Sequence, residues 1–511
     1  MKNKRFLYKG LSVLFLAGIG FGSVSCNDSN LEDVENTGTF DTQNYFQNEE
    51  QSFSALVGVY DLLRKYSGGF ENNVTFFNAA SDDFFSGGGS STDGAGIQGM
   101  SNFTINPIIM PPSYWKDYYQ GIARANLLID RIPNATMNEQ TRKRFVAEAK
   151  TLRSLYYFEL VRMFGRIPLI LKPIKVSDDY YNIPQVSTAD IYALIESDLE
   201  SSLADLPVTT AGAEKGRITQ GTARAILGKI YLYNKKYANA AAQFEQVNGT
   251  PGGTSIYGYK LVNNFADLWV IDNKFTTESV LEVMHTNKGN SDWGFWGSGK
   301  DEGNSINVML GIISYGKVST VPNNDAPSIY SGWGFNPITE DLFNFMQGDP
   351  RLNATIFNGK KFKQEGKITY SGGYKDTGYF LNKFLPRTTD TSPLPGATEL
   401  NFRQNYMAIR LADTYLMEAE ALNGSGVRAQ ALLDAVRARV GLASVPVSLQ
   451  AIKDERRREL AGEGHRFFDL VRWGDAPAKL GARGFTAGKN EILPIPFNEL
   501  TNTALIQNPN Y

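Results

Sequence analysis

Cysteine and histidine are almost absent from this chain of 511 residues, and their scarcity excludes several kinds of site. With a single cysteine, no disulfide can form within the chain and no group of thiolates can bind a metal. The two histidines, His285 and His465, lie far apart in the sequence, which argues against a zinc site, and no EF-hand pattern is present. We therefore expect no metal and no cofactor.

The chain also lacks an excess of charge of either sign. Its 51 Lys and Arg residues and 53 Asp and Glu residues give a formal net charge of -2. This balance provides no long-range attraction for nucleic acid, and we expect no such partner. Aromatic residues are plentiful instead, at 12%, and they accompany 49 glycines, a combination that fits either a ligand surface or a large core.

The amino terminus has the pattern of a lipoprotein signal peptide. A lysine-rich start precedes the apolar run LSVLFLAGIGFG, and the small residues Ser23-Val24-Ser25 lead to Cys26. We predict a signal peptide over residues 1–25, lipidation of Cys26 and an acidic tether over 26–39. The position three before the cysteine usually carries leucine and here is Ser23. The alternative is a plain secretory signal followed by an incidental cysteine.

The body, residues 40–511, has a mostly helical pattern at both ends. One stretch contains Leu227-Gly228-x-x-Tyr231 and then Ala240-x-x-x-Phe244, which are elements of a tetratricopeptide repeat. Gly228 lets two helices approach closely, and Phe244 fills the space beside them. We predict a tetratricopeptide-like scaffold of helical pairs over residues 40–250 and 400–511, in which NYMAIRLADTYLMEAEALN begins another pair.

Residues 251–399 differ from the two helical regions. Gly, Asn, Ser, Thr and Asp dominate, and short runs such as SVLEVMH are typical of strands. A loop-rich region of this length is usually functional. We therefore predict a mostly α protein with a loop-rich insertion that contains short strands and carries the ligand-binding surface.

One glycine-rich stretch of this insertion is predicted to carry exposed aromatic side chains. The stretch NSDWGFWGSG places Trp293, Phe295 and Trp296 among glycine and polar residues, with no helix or strand period that would bury them. An indole covers the C–H face of a sugar ring while freezing few rotamers, and the neighbouring Asp292 can bind sugar hydroxyls. We predict a sugar platform here. The alternative is that these tryptophans plug the insertion against the helical body.

Other aromatic and acidic residues are further candidates for ligand binding. They stand beside glycines in the stretches SGWGFNP, RKYSGGFENN and AASDDFFSGGG, and they are Trp333, Tyr66, Phe70, Phe85 and Asp83.

The densest motif is ERRRELAGEGHRFFDLVRWG, residues 455–474. Its acidic and basic residues alternate at helical i,i+3 and i,i+4 spacing, as Asp469 and Arg472 do, which predicts a network of ion pairs that clamps the helix to its neighbours. An enzymatic interpretation would make His465 a general base oriented by Asp469.

This motif closely resembles the signature of the SusD/RagB family of Bacteroidetes outer-membrane lipoproteins. Three more stretches are similar to that family in the same order: residues 147–170, ending in Gly-x-x-Pro, residues 405–423, and residues 493–511, which run from Pro-Ile-Pro to Gln-Asn-Pro-x-Tyr. The resemblance covers nearly the whole chain.

The resemblance implies a non-catalytic, lipid-anchored protein on the extracellular face of the outer membrane. It would capture a polysaccharide or oligosaccharide and deliver it to a TonB-dependent, SusC-like transporter, and a loop near Tyr66–Phe85 would contribute to the ligand site. Two alternatives stay open: a peptide-binding member of the same fold, and a glycoside hydrolase that uses two carboxylates across a cleft.

Overall fold

The computed structural model describes residues 45–175, 178–288, 303–391, 393–394 and 396–511. The predicted signal peptide, Cys26, the tether, and Asp292, Trp293, Phe295 and Trp296 lie outside these residues. Residues Gln47–Tyr511 form one structural unit. Among the helices of the described residues, none is long and apolar enough to cross a membrane.

The first half of the unit is a succession of helices that pack on their neighbours in sequence. Helix α5 ends where the sequence predicted, at Gly165, whose φ of 70° is accessible to glycine at little cost. α4 packs against α1 and α5, and α5 packs against α6. The eight helices are α1 (Glu49–Tyr60), α2 (Asn73–Ala79), α3 (Ala95–Ser101), α4 (Ser113–Arg131), α5 (Glu139–Phe164), α6 (Thr188–Ser202), α7 (Gln220–Tyr233) and α8 (Tyr237–Asn248).

Helices α7 and α8 form the predicted repeat-like pair. A Cβ at Gly228 would lie 2.8 Å from the Phe244 ring, so the absence of a side chain allows the close approach. Ala240 and Phe244 are fully buried, and Tyr231 is 3% exposed. The prediction of a glycine-dependent helical pair is confirmed.

The insertion consists of loops joined by short elements. Its strands form antiparallel pairs, β2 with β4 and β3 with β5, whereas β1 pairs with a strand outside the insertion. The predicted SVLEVMH strand is confirmed as β1. The elements are β1 (Ser279–Val283), α9 (Ser305–Leu310), β2 (Gly316–Lys317), α10 (Glu340–Phe345), α11 (Leu352–Thr355), β3 (Ile356–Asn358), α12 (Gly359–Gln364), β4 (Ile368–Thr369) and β5 (Tyr379–Leu381).

The C-terminal part returns to helices after one strand. Residues 405–423 were predicted to begin a helical pair, but 406–410 form strand β6 because pairing with β1 buries all five of them. The helical pair itself follows as α13 and α14. The elements are β6 (Tyr406–Arg410), α13 (Leu411–Ala421), α14 (Gly426–Arg439), α15 (Leu449–Glu459), α16 (Arg466–Trp473), α17 (Ala476–Leu480) and α18 (Phe497–Leu500).

The motif at residues 455–474 clamps the insertion onto the scaffold through buried ion pairs. Arg351 of the insertion donates to Glu455 and Glu459 of α15, each at 2.7 Å, and its side chain is fully buried. Arg410 of β6 pairs with Glu459 at 2.5 Å and with Glu463 at 2.8 Å. Buried charges are stable only when paired and hydrogen-bonded, as these are. The predicted ion-pair network is confirmed.

Candidate functional site

The turn from Ser67 to Phe70 contacts described residues on both sides of residues 289–302, the stretch that contains the WGFW sequence. Ser67 Oγ is 2.7 Å from Nε2 of His285, just before that segment. Beyond it, Ser305 N donates to Ser67 O at 3.0 Å, and Gly69 N donates to Ser305 Oγ at 2.8 Å. His285 and Ser305 are therefore both bound to the turn that ends at Phe70.

Phe70, Trp333 and Phe335 form an aromatic cluster beside this turn. The Phe70 ring centroid lies 6.1 Å from that of Trp333 and 5.4 Å from that of Phe335, which it meets edge to face. Phe335 is 2% exposed, whereas Phe70 and Trp333 are half-buried. Such a cluster matches the apolar platform expected for a sugar.

Backbone hydrogen bonds to α9 and the residues after it fix the rings from the insertion. Trp333 N donates to Val308 O at 2.9 Å, and Phe335 N donates to Met309 O at 2.8 Å. A Cβ at Gly332 would lie 2.3 Å from Val308 O, so the SGWGF stretch needs glycine to pass this close. The backbone of Trp333 is thus held by α9 independently of a ligand, which reduces the entropy lost on binding.

The loop after α2 lines the aromatic cluster. Gly88 has a φ of 87°, and a Cβ there would lie 2.8 Å from the Phe335 ring. Its N–H donates to Gly334 O at 2.9 Å, and its carbonyl accepts from Tyr374 N at 2.8 Å. Sequence reasoning did not select Tyr374 or Lys375, although SGGYKDTG, like SGWGFNP, sets an aromatic residue between glycines.

Phe85 stands at the other end of the same loop and is half-buried. Its ring carries two cations, with Lys375 Nζ 5.3 Å and Arg483 Cζ 5.1 Å from the centroid. Phe85, which the sequence predicted as a ligand contact, therefore lies against two cationic groups. This surface is positively charged, whereas the Phe70–Trp333 cluster is apolar.

The structure buries Tyr66 and Asp83, two other candidates from the sequence. Tyr66 is 7% exposed, and its hydroxyl donates to Glu159 at 2.8 Å. Asp83 is 1% exposed and accepts from Arg457 Nε at 2.7 Å. Burial and the neighbouring Asp82 raise the pKa of Asp83, and Arg457 opposes that rise. Since both side chains are bound to protein partners inside the fold, we assign them structural roles rather than contact with a ligand.

The geometry around His465 does not match a general base oriented by Asp469. The Asp469 carboxylate accepts from Arg456 at 3.0 and 3.1 Å and pairs with Arg472 at 2.8 Å. Burial lowers the pKa of His465 to about 4. Asp469 is thus part of the ion-pair network. In the part of the chain that the structure describes, no three His, Cys, Asp or Glu side chains are grouped to hold a metal ion.

Comparisons with known proteins agree with this architecture. The model of the SusD family matches residues 338–511, and a second model, described as starch-binding associating with outer membrane, matches residues 33–232. The starch-binding protein SusD from Bacteroides thetaiotaomicron is 24% identical over 76% of each chain. The SusD-like protein P25 from Formosa agariphila is also 24% identical, over 91% of this chain and 92% of its own.

Two solved structures extend the likeness to the fold. A laminarin-binding SusD-like protein is 58% identical, with 91% of this chain and 100% of that chain covered and a TM-score of 0.89. Surface glycan-binding protein A from Bacteroides thetaiotaomicron, in complex with laminarihexaose, is 26% identical, covers 91% and 100%, and has a TM-score of 0.79. The resemblance seen in the four sequence motifs is confirmed, and this chain belongs to the SusD family.

Proposed function

We propose that this protein is a non-catalytic, surface-exposed glycan-binding lipoprotein and that laminarin is the glycan it captures. The observation that carries the proposal is the 58% identity and TM-score of 0.89 with a laminarin-binding SusD-like protein. A more distant relative at 26% identity was solved with laminarihexaose. At both levels of sequence identity, the related structure is described with laminarin or laminarihexaose, which supports this class of ligand.

The aromatic cluster supplies the chemistry for such a ligand. Phe70 and Trp333 offer apolar faces that C–H groups of a glucan can cover. His285 and Ser305, on either side of residues 289–302, contact the turn from Ser67 to Phe70, and we propose that Trp293, Trp296, Phe295 and Asp292 complete the site. Binding through a few stacked rings is weak, and anchoring beside a transporter pore compensates by raising the effective concentration.

We further propose that Cys26 carries the lipid anchor on the extracellular face of the outer membrane and that a TonB-dependent transporter receives the glycan. The family model described as associating with the outer membrane supports this location. Radiolabelled palmitate should enter the wild-type protein in its native host but not Cys26→Ala. A tagged wild-type protein should retain a SusC-like transporter after mild detergent extraction, and its absence from such extracts would contradict a stable complex.

Affinity electrophoresis of residues 27–511 through native gels containing laminarin tests the central proposal. We expect retardation of the wild type and loss of most of it in Trp333→Ala. Tyr237→Ala is the matched control, because Tyr237 is an aromatic residue 49% exposed on the helical scaffold, and it should bind as the wild type does. If another polysaccharide retards the protein and laminarin does not, that polysaccharide is the ligand instead. Competition by peptides, or release of reducing sugar on prolonged incubation, would overturn the non-catalytic glycan-binding assignment.

A further inference from the structure

Lys375 and Arg483 both lie against the ring of Phe85. Lys375 Nζ lies 5.3 Å and Arg483 Cζ 5.1 Å from the Phe85 centroid, and Lys375 Nζ lies 5.5 Å from the Tyr374 centroid. Both cationic side chains are half-buried. An aromatic face attracts a cation but carries no net charge, so Phe85 positions these cations without neutralising them.

The acceptors that bind these two cations are neutral. Lys375 Nζ donates to Asn102 Oδ1 at a long 3.4 Å. Arg483 donates to Phe84 O at 2.5 Å and to Ser101 Oγ at 3.3 Å, and it also bonds Ser81 O. Among the described residues, neither cation forms an ion pair with a carboxylate within 4 Å.

The two carboxylates whose charges act on Arg483, those of Asp82 and Asp83, are already paired with other arginines. Asp82 accepts two hydrogen bonds from Arg466, and Asp83 pairs with Arg457 at 2.6 Å. Burial lowers the pKa of Lys375, and the charge of Arg483 lowers it further. Burial also lowers the pKa of Arg483, which Asp82 and Asp83 offset in part. The positive charges of Lys375 and Arg483 are therefore balanced less completely by carboxylates than those of the buried arginines in the ion-pair network.

The backbone holds Lys375 at a conformation that glycine would adopt with less strain. Its φ is 54°, in the left-handed region, within the turn SGGYKDTG. The turn is closed by Asp376 Oδ1, which accepts from Gly378 N at 3.0 Å. A lysine kept in a strained turn, with its ammonium group beside a second cation, indicates a use for that charge.

The cation pair is close to the aromatic cluster. Tyr374 N donates to Gly88 O, and Gly88 packs against Phe335 of the cluster. Phe85 and Gly88 are three residues apart, so their Cα atoms lie at most roughly 10 Å from each other. We propose that Lys375 and Arg483 form a subsite for an anionic group, a carboxylate or sulfate ester, on a sugar of the glycan bound at the aromatic cluster. This inference rests on the proposed function, because it assumes that a glycan occupies that cluster.

Laminarin and laminarin sulfate provide a matched pair of ligands, since they share one backbone and differ in charge. Dissociation constants for both would be measured at low ionic strength with residues 27–511. We expect the wild type to bind laminarin sulfate roughly tenfold more tightly, as a charge-assisted contact allows. Lys375→Met should remove most of this preference while leaving laminarin binding within about twofold of the wild type. Lys375→Arg, which keeps the charge, should retain the preference.

Lys363→Met is the control for general electrostatic attraction. Lys363 also sits over an aromatic ring, with Nζ 4.3 Å from the Tyr370 centroid, but it is exposed and its ring is not that of Phe85. It should keep the wild-type preference, and an equal loss in this variant would overturn the subsite. Equal affinity of the wild type for the two ligands would overturn it too, while leaving laminarin capture intact. If laminarin sulfate alone binds and Lys375→Met abolishes that binding, the subsite stands and the laminarin proposal fails. If neither ligand binds, both proposals fail.

Discussion

The guanidinium group of Arg466 forms two parallel hydrogen bonds with the carboxylate of Asp82, both 2.8 Å long. Arg466 begins α16 within the signature motif, and Asp82 begins the loop that carries Phe85 and Gly88. Burial opposes ionisation of Asp82, but the bonds and charge of Arg466 hold its pKa below the ordinary value. The signature motif thus holds in place the loop that lines the candidate site.

Arg466→Lys should destabilise the protein by about 1–3 kcal/mol, because an ammonium group cannot reproduce two parallel bonds to one carboxylate. The free energy of unfolding from urea titrations would measure this change. Lys360→Met is the control, because it removes an exposed ion pair. Lys360 and Glu340 are 3.8 Å apart, and their side chains are 51% and 67% exposed. Exposed pairs contribute little, so this control should change stability by less than about 0.5 kcal/mol. Equal effects of the two variants would contradict a clamping role for Arg466.

His465 should make stability depend on pH between about 4 and 6.5. Burial lowers its pKa to about 4 from the ordinary 6.5, and nearby Lys229 acts in the same direction. Above pH 6.5 the imidazole is neutral in both states. As the pH falls from 6.5 to 4, only the unfolded chain gains the proton, so stability is lost over this window. The difference between the two pKa values corresponds to roughly 3 kcal/mol at most.

His465→Gln isolates this contribution. Asp390 has the opposite effect on stability, because burial raises its pKa from the ordinary 3.8 to about 6. As the pH falls from 6 to 3.8, the folded state binds this proton more readily than the unfolded chain, so stability increases. That effect is common to the variant and the wild type and cancels in their difference. Unfolding free energies of both proteins at pH 7, 5.5 and 4.5 should converge as the pH falls. A constant difference across the three values would show that His465 does not titrate in this window.

Local patterns in the sequence predicted the elements whose formation depends on residues near in the chain. Gly165 indicated the end of α5, and the spacing of Gly228 and Phe244 indicated the close helical pair. The strand at 406–410 was missed, because its identity depends on pairing with β1, more than a hundred residues away. In such a case the distant partner overrides the helical period of the flanking sequence.

The sequence predicted individual residues of the candidate site but not how they pack together. Phe70 and Trp333 were selected separately from glycine-rich stretches, but their contact across the fold required the structure. Tyr66 and Asp83 had the same local appearance and are buried. Composition reports which residues can bind a sugar, and only the tertiary packing decides which of them reach the surface.

Gly88→Ala should weaken glycan binding as well as the fold. A Cβ at this position would lie 2.8 Å from the Phe335 ring and 2.9 Å from an Asp93 carboxylate oxygen. Phe335 must then move, and Phe70, whose ring meets it 5.4 Å away, must move with it. We expect the dissociation constant for laminarin to rise about fivefold to tenfold, the equivalent of roughly 1 kcal/mol. Affinity electrophoresis and calorimetric titration would both detect this change.

Gly366→Ala is the control that distinguishes the effect of displaced aromatic rings on binding from the effect of backbone strain. Gly366 also has a positive φ, 69°, and lies in the same insertion, but a Cβ there would meet nothing within 4 Å. Both variants therefore carry the left-handed penalty of about 1–2 kcal/mol on stability. Only Gly88→Ala introduces a contact with the aromatic cluster, so Gly366→Ala should bind laminarin with wild-type affinity. Equal binding by both variants would mean that the position of Phe335 does not govern the platform, and the ligand would then depend on rings other than Phe70 and Trp333.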